Sequence, residues 1–291
     1  MNKRVTARAA ALGMTIFELI VAETWRGVDL STRMGWSQTK TSRLKNGEKV
    51  YTVTDIAMVL AVLDVKGVER HELLAITDSL TEQNSSLPPA MSPISRARFL
   101  TCLERIATRL TSYSRTTLPP QLQSRDYVRF LADNNIVPQA YADNLTSRSE
   151  ALSDSPSTTA RFFVGEAALT PTDLPPDVTA DLLHHLLRLA VRPHIEIRLV
   201  PDTITIPDSP PFTHMTFADH PPLVHIDAMN TSVFLEHPHT LDHSRAIITT
   251  LAEHALSAAA TQTRLLDLAT ALADTTPTAN PKATAVSPNG T

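Results

Sequence analysis

The sequence predicts an all-α domain of five short helices, followed by an α+β domain with a small, mainly antiparallel sheet and flanking helices. Three observations lead to this fold class. Apolar residues recur at helical spacing through the first part of the chain, strand-like alternation appears only later, and a polar, proline-containing stretch separates the two parts. A chain of 291 residues is long enough for two domains.

Each N-terminal helix is defined by a one-sided stripe of residues that face the bundle. Residues three and four positions apart share one face of a helix, so such stripes predict amphipathic helices that pack together. A bundle of this size is just large enough to fold alone. The stripes are, in chain order, Ile16, Leu19 and Ile20; Leu30 and Met34; Thr41 and Leu44; Ile56, Leu60 and Leu63; and Leu73, Leu74 and Ile76.

The third helix differs from the others in its outer face. Ser37 is suited to N-cap it, and Asn46-Gly47 are suited to end it in a left-handed C-cap. Its two-residue stripe faces the bundle, while polar and cationic side chains cover the other side. A helix of this size fits the major groove of double-stranded DNA. We therefore interpret residues 35–47 as a turn and a recognition helix; the alternative is an ordinary helical hairpin with a solvated polar face.

The turn and helix read Gly-Trp-Ser-Gln-Thr-Lys-Thr-Ser-Arg-Leu-Lys-Asn-Gly. With the helices around this string, residues 12–78 resemble the helix-turn-helix domain of Xre/Cro-type, lambda-repressor-like transcriptional regulators of the actinobacterial antitoxin-like kind, which read Gly-Trp-Ser-Gln-x-Lys-x-Ser-Arg-(Ile/Leu)-x-Asn-Gly. The resemblance implies that three side chains face bases, namely Gln38, Thr39 and Arg43. It also implies phosphate contacts by Lys40, Ser42 and Asn46, and Lys45 adds a cation on the DNA side.

Three features depart from the family pattern. Gly27 stands where relatives have a Gln or Glu at the start of the second helix, which is often a phosphate contact. Thr41 replaces a buried Val, which we expect to loosen the packing of the third helix slightly. Ile20 and Lys45 replace an Arg–Glu pair, and since both partners are absent together, no buried charge is left alone.

The charge distribution supports an anionic partner for the N-terminal part. The whole chain carries a formal net charge of −4. Residues 1–50 contain nine Lys/Arg and four Asp/Glu, which gives +5 and leaves −9 for the remaining residues. A basic head on an acidic body predicts double-stranded DNA as the partner of the N-terminal domain.

Cysteine usage and hydropathy predict a cytoplasmic protein without a membrane span. The single cysteine, Cys102, excludes an intrachain disulfide and fits a reducing cytosol. No apolar run approaches 18 residues, and no apolar segment follows a basic start as in an export signal.

Composition also sets the expected domain boundaries. These are a DNA-binding domain at residues 1–78, a linker at 79–95, an α+β regulatory or dimerisation domain at 96–273, and a disordered tail at 274–291. The patterns in the α+β domain predict helices at 96–113, 124–132, 138–152, 178–190 and 242–273, and strands at 161–164, 194–200, 212–217, 223–226 and 233–235.

The α+β part is similar to the C-terminal domain that follows the same kind of module in such regulators. The similarity rests on Leu103-Glu104, on Leu118 to Tyr127 in place of Val-Pro-Gly-Leu-Leu-Gln-Thr-x-x-Tyr, on Arg148, on residues 164–169 around Glu166, and on a strand that ends at Pro201. Pro120 replaces a glycine of the family pattern, and Ser149 replaces a glutamine. Such regulators are often encoded beside a small partner protein, and the resemblance implies one here.

Neither a catalytic site nor a metal site is predicted. Ten of the eleven histidines lie within residues 184–254, which raises a metal site as a hypothesis. The alternative is scattered surface imidazoles, because the spacings fit no zinc signature, no cysteine contributes, and adjacent His184 and His185 point about 100° apart on a helix. The chain has no glycine-rich phosphate loop and no Gly-x-Ser-x-Gly elbow. We therefore expect no enzyme activity, no cofactor and no metal.

These observations predict a sequence-specific DNA-binding transcriptional regulator that acts as a homodimer. Its C-terminal domain is expected to serve sensing, partner binding or dimerisation. The alternative is an antitoxin-like protein-interaction module that binds a small partner protein and has weak or lost DNA binding. Gly27 and Thr41 favour the alternative, whereas Gln38, Arg43 and Lys45 favour DNA binding.

Overall fold

A computed structural model describes residues 5–49, 51–80, 82, 84–87, 91–154, 157–169, 174–204, 209–228 and 231–275. Within these residues the chain forms an N-terminal helical region and a C-terminal body in which helices surround a seven-stranded sheet. The helical region consists of α1 (Ala7–Ala22), α2 (Gly27–Met34), α3 (Gln38–Lys45), α4 (Val53–Val62) and α5 (Gly67–Ser79).

The body contains the remaining elements. Its strands are β1 (Asn84–Ser86), β2 (Arg109–Ser114), β3 (Thr159–Gly165), β4 (Ile195–Val200), β5 (Phe212–Thr216), β6 (Leu223–Ala228) and β7 (Thr231–Leu235). Its helices are α6 (Pro93–Arg105), α7 (Arg125–Asp133), α8 (Gln139–Asp154), α9 (Pro176–Ala190), α10 (Pro238–His254) and α11 (Ala258–Thr275). Among the described helices, none is long and apolar enough to cross a bilayer.

The sheet is mixed and larger than the small, mainly antiparallel sheet that the sequence predicts. Its strand order is β1-β7-β6-β5-β2-β3-β4. β3 pairs in parallel with both β2 and β4, whereas the other described pairings are antiparallel. Parallel neighbours need long crossover connections, and α7, α8 and α9 provide them.

The helix predicted over residues 96–113 is two elements. α6 ends at Arg105, and residues Arg109–Ser114 form β2. β2 lies between β3 and β5, so its backbone finds hydrogen-bond partners on both sides. Thr111 and Tyr113 also belong to residue types that suit a strand. Sheet pairing with distant residues therefore overrides the local helical spacing.

The helix predicted over residues 242–273 is also divided, into α10 and α11. Ala255 leaves the helical conformation with ψ 152°. The backbone N–H of Leu256 donates to the Leu199 carbonyl at 2.8 Å. The guanidinium of Arg198 donates to the carbonyls of Ala255 and Leu256, each at 2.7 Å. β4 thus satisfies the backbone groups that the break in the helix exposes.

Part of the predicted linker belongs to the body. Asn84–Ser86 form β1, which pairs antiparallel with β7, and α6 begins at Pro93 with Ser92 as its N-cap. This corrects the linker prediction for those residues. At the other end, α11 extends to Thr275, and the rest of the predicted tail lies outside the described residues.

One continuous cluster of buried apolar side chains joins the helical region to the body. It includes Leu12 and Ile16 of α1, Phe99 of α6, and Phe234 of β7. The rings of Phe99 and Phe234 meet edge to face, with their centroids 5.9 Å apart. The five N-terminal helices therefore share their core with the body.

Arg8 of α1 crosses the same boundary and is only 1% exposed. Its Nε pairs with Oε1 of Glu236 at 2.8 Å. The guanidinium also donates to the carbonyls of Ser79, at 3.1 Å, and Glu82, at 2.5 Å, and to the hydroxyl of Ser85. A buried arginine with this many partners holds α1, the end of α5 and the sheet edge together.

Two histidines are buried on opposite faces of the sheet. His214 of β5 hydrogen-bonds to the Ser244 hydroxyl at 2.8 Å. Burial lowers the pKa of His214 to about 4, and nearby Arg245 adds to the effect. For His225 of β6, burial also lowers the pKa to about 4; Asp227 opposes this shift, and nearby arginines reinforce it. Both imidazoles are neutral at pH 7.

These burials predict that the chain loses stability as the pH falls from about 6.5 to about 4. The unfolded chain binds protons below the ordinary histidine pKa of about 6.5, whereas the folded histidines do not until about pH 4. For His225 alone, this difference lowers the free energy of unfolding by about 2 kcal/mol between pH 7 and pH 5. Urea unfolding at both pH values measures it.

The control for this prediction is a comparison of two histidine variants. His225→Phe should reduce the pH dependence, while His239→Gln should not, since His239 is exposed. An unchanged pH dependence in His225→Phe would contradict the assignment.

Candidate nucleic-acid interface

α3 has the two-sided character that the sequence predicts. Thr41 and Leu44 are buried, 5% and 4% exposed. The exposed side chains are Gln38, Thr39, Ser42, Arg43, Lys45 and Asn46, and Lys40 is half-buried. All seven predicted contact residues therefore lie on one short helix and its C-cap, outside the buried stripe.

The two ends of α3 are capped as predicted. The Ser37 hydroxyl accepts a hydrogen bond from the backbone N–H of Lys40 at 3.2 Å. Asn46 is the C-cap, and Gly47 follows with φ +61°, in the left-handed region. α2 ends at Met34, and its C-cap Gly35 is also left-handed with φ +62°, so only three residues connect α2 to α3. These local signals fix the length and the entry angle of α3.

Two close approaches press α3 against α1. A Cβ atom at Gly13 of α1 would overlap the carbonyl of Leu44 and would lie 3.1 Å from the carbonyl oxygen of Lys45. A Cβ atom at Gly47 would overlap the backbone of Ala10. The C-terminal turn of α3 thus sits directly on the backbone of α1, and glycine is needed at both positions.

The buried Thr41 has hydrogen-bonding partners. Its Oγ1 lies 2.8 Å from Oγ of Ser31 in α2. Oγ of Ser31 also lies 2.9 Å from the carbonyl oxygen of Gly27. The Ser31 hydroxyl is placed to donate to Thr41 Oγ1 and to the Gly27 carbonyl. The expected loosening of α3 is therefore offset by a hydrogen-bonded link to α2.

Lys40 is held by neighbouring side chains. Its ammonium lies 3.7 Å from the centroid of the Trp36 ring and 3.2 Å from Oδ1 of Asp55. Trp36 in turn stacks on Tyr51, whose hydroxyl donates to the Lys40 carbonyl at 2.5 Å. Burial acts to raise the pKa of Asp55, but hydrogen bonds from Thr52 and Lys40 outweigh it, and the net pKa is lowered. A phosphate contact by Lys40 would compete with this ionised carboxylate.

Lys45 and Asn46 lie at the edge of α3 that faces the body. The ammonium of Lys45 is 4.1 Å from the centroid of the Phe17 ring on α1. Both residues line a cleft of about 350 Å³ that Asp219 and His220 of the β5–β6 turn also line. Lys45 therefore packs toward the first helix, and it shares this cleft with a carboxylate of the body.

Arg43 projects from the middle of the outer face. Its guanidinium is exposed and makes no hydrogen bond or ion pair to the described residues. The helical region carries further exposed cations outside α3, namely Arg26, Arg33 and Lys49. Sequence reasoning missed the part of the site that supports α3, which is the Trp36–Tyr51 stack and Asp55. The signal available in the sequence was an aromatic residue on each side of the cationic helix, with Trp36 before α3 and Tyr51 after it.

The described residues contain no group of three or more His, Cys, Asp or Glu side chains arranged to hold a metal ion. Cys102 is buried, and burial raises the pKa of its thiol to about 12. A thiol in this environment is not a nucleophile at neutral pH.

Comparison with known proteins assigns the body to a family model. The model described as "Domain of unknown function (DUF5753)" matches residues 97–267. The match begins in α6 and ends in α11, so it covers the body except β1 and the outer ends of these two helices, and it does not include α1 to α5. No curated protein and no solved structure matches the chain.

Proposed function

The chain belongs to the family defined by the domain of unknown function DUF5753, and we propose that its helical region is a helix-turn-helix module through which the protein binds double-stranded DNA and regulates transcription. The observation that carries the proposal is the outer face of α3. This face is exposed, polar and cationic, while the opposite face is buried and both helix ends are capped. A rigid helix of this kind suits insertion into the major groove.

In this proposal the exposed side chains have different roles. Gln38, Thr39 and Arg43 would face base edges, with Arg43 suited to the O6 and N7 atoms of guanine. Ser42 and Asn46 would lie near phosphates. Lys40 and Lys45 would contribute mainly through their charge, because each is already in contact with an aromatic ring.

The body is proposed to serve dimerisation, sensing or partner binding. A two-fold homodimer would present two copies of α3 to half-sites about 34 Å apart. A small protein encoded nearby is a proposed partner, and the cytoplasm is the proposed location.

The competing function is a protein-interaction module with weak or lost DNA binding. Two observations favour it. Gly27 leaves the start of α2 without a side chain for a phosphate contact, and the Lys40 cation is held by Asp55. DNA binding is favoured by the exposed guanidinium of Arg43 and by the exposed cations of Arg33 and Lys49 in the same helical region.

Binding of the full-length protein to the DNA upstream of its own gene tests the proposal. Fluorescence anisotropy over a range of KCl concentrations should give a linear decrease of log K with log salt, about −0.9 for each phosphate contacted. Arg43→Ala should reduce the binding free energy by about 1–3 kcal/mol on this DNA and by less on random DNA, because a base contact is lost. Lys45→Ala should weaken binding to the specific and the random DNA equally, and it should flatten the slope of log K against log salt by up to about 1.

The matched control is Arg129→Ala, which removes an exposed arginine from α7 of the body. This variant should bind as the wild type does. Equal losses on specific and random DNA for Arg43→Ala would remove the base-reading role. The absence of salt-dependent binding by the wild type would reject the regulator and leave the protein-interaction module.

A further inference from the structure

A cavity of about 240 Å³ lies on the sheet face of the body. It is far larger than the roughly 10–15 Å³ that one water molecule requires. It opens at the start of β5, whereas the cleft beside α3 lies beyond the end of the same strand. The two sites are therefore separate.

The position of the cavity is one where sheets often bind ligands. It lies at the carboxyl end of β2, where the sheet changes from parallel pairing with β3 to antiparallel pairing with β5. In open sheets with parallel strands, ligands occupy crevices at the carboxyl ends of strands. The loop after β2 covers it with Leu118, Pro119 and Pro120.

The floor of the cavity is a row of polar side chains across three strands. Ser112 of β2 is in register with Thr213 of β5, which is in register with His225 of β6. Residues directly opposite each other share a face of the sheet. All three are at most 9% exposed, and Thr213 donates to the Ser112 hydroxyl at 3.2 Å.

His225 offers an unsatisfied polar atom in this row. Its Nε2 is buried and has no hydrogen-bond partner within the described part of the chain. Its ring is fixed by stacking on Phe234, with centroids 5.3 Å apart and planes 28° apart. A neutral imidazole donates or accepts according to its tautomer. Leaving such an atom unpaired costs free energy, and a bound polar group would remove that cost.

The charges around the cavity are largely balanced. Arg148 of α8 pairs with Glu104 of α6, its Nε lying 3.3 Å from Oε2. Glu104 also accepts a hydrogen bond from Gln121 Nε2 at 2.6 Å. Glu104, Gln121 and Arg148 belong to three separate segments of the sequence on which the similarity of the C-terminal part rests. Asp227 adds an exposed carboxylate to the lining. An anionic ligand would therefore compete with Glu104 for Arg148 and be repelled by Asp227.

We propose that this cavity binds an uncharged, hydroxylated small molecule of about monosaccharide or nucleoside size. The hydroxyls of Ser112, Ser114 and Thr213, the Gln121 amide and the His225 imidazole both donate and accept, as sugar hydroxyls do. The proline and leucine side chains of the loop provide an apolar wall for the carbon skeleton. This site goes beyond the proposed DNA-binding function and does not depend on it.

Isothermal titration calorimetry with the full-length protein tests the proposal. The neutral probes are D-glucose, D-ribose, adenosine and uridine, and the charged probes are inorganic phosphate and acetate. At least one neutral probe should bind with 1:1 stoichiometry. His225→Phe should weaken that binding about 10-fold or more, and the nearly isosteric Thr213→Val should weaken it about 3- to 10-fold.

The matched control is Thr263→Val, which removes an exposed hydroxyl on α11 and should leave binding unchanged. Melting temperatures identify any variant that fails to fold. If His225→Phe does not fold, the binding measured with Thr213→Val decides the test. Three results would overturn the proposal: no binding of any neutral probe, binding unaffected by both cavity variants, or binding of phosphate or acetate in preference to the neutral probes.

Discussion

Arg8→Met should destabilise the full-length protein by about 3–5 kcal/mol, because it leaves a nearly buried carboxylate without its cation. Glu236 is 9% exposed at its side chain and pairs with Arg8. The substitution also removes the donors that satisfy the carbonyls of Ser79 and Glu82. Urea unfolding followed by circular dichroism measures the loss.

Two comparison variants separate the effect of the unpaired buried charge from the other effects of replacing an arginine by methionine. Arg26→Met removes an arginine whose side chain is 82% exposed and pairs with Asp29, and it should change stability by about 0.5 kcal/mol or less. Adding Glu236→Leu to Arg8→Met should recover part of the lost stability, since no buried charge then remains alone. If Arg8→Met lowered the free energy of unfolding by less than about 1 kcal/mol, Arg8 would not hold α1, the end of α5 and the sheet edge together.

A second large effect is expected for Gly13→Ala. In most helices alanine is more favourable than glycine by about 0.5–1 kcal/mol. Here the added methyl group would overlap the carbonyl of Leu44, so α1 and α3 must separate. We expect a net destabilisation of about 1–3 kcal/mol or more, measured by thermal unfolding. Since α3 is displaced, affinity for the upstream DNA should also fall by at least about 10-fold.

Gly27→Ala is the matched control for this prediction. The nearest atoms to a Cβ at Gly27 are Thr41 Cγ2 at 3.8 Å and Phe17 Cε2 at 3.9 Å, which are ordinary contact distances. This variant should be unchanged or slightly more stable than the wild type. If Gly13→Ala were as stable as Gly27→Ala, α3 would not be seated on the α1 backbone. The stability result holds whether or not the protein binds DNA.

The features of α3 could be predicted because they arise from neighbours in the chain. Capping by Ser37 involves a residue three positions away, and the turn at Gly47 depends on one residue's freedom to adopt a positive φ. Burial of Thr41 and Leu44 follows from helical period alone. The environment of Lys40 was not predictable in the same way, since Asp55 belongs to another helix.

The body shows where local patterns are insufficient. The sequence predicts residues 109–113 as the end of a helix, yet they form β2 and pair with β3, about fifty positions further along the chain, and with β5, about a hundred positions further. The short strand β1 has no apolar alternation, and its place is set by pairing with β7. The break between α10 and α11 depends on hydrogen bonds from β4.

The sequence by itself determined the helix faces, the caps and the alternation of strands such as β4, because these depend on side-chain period and on backbone preferences within a few residues. Only the tertiary structure decided the size and direction of the sheet, the burial of Arg8 between α1 and the sheet edge, and the meeting of Ser112, Thr213 and His225 in one cavity. These features depend on hydrogen bonds and contacts between residues distant in the chain, and their energies outweigh local preference wherever a backbone or a charge must be buried.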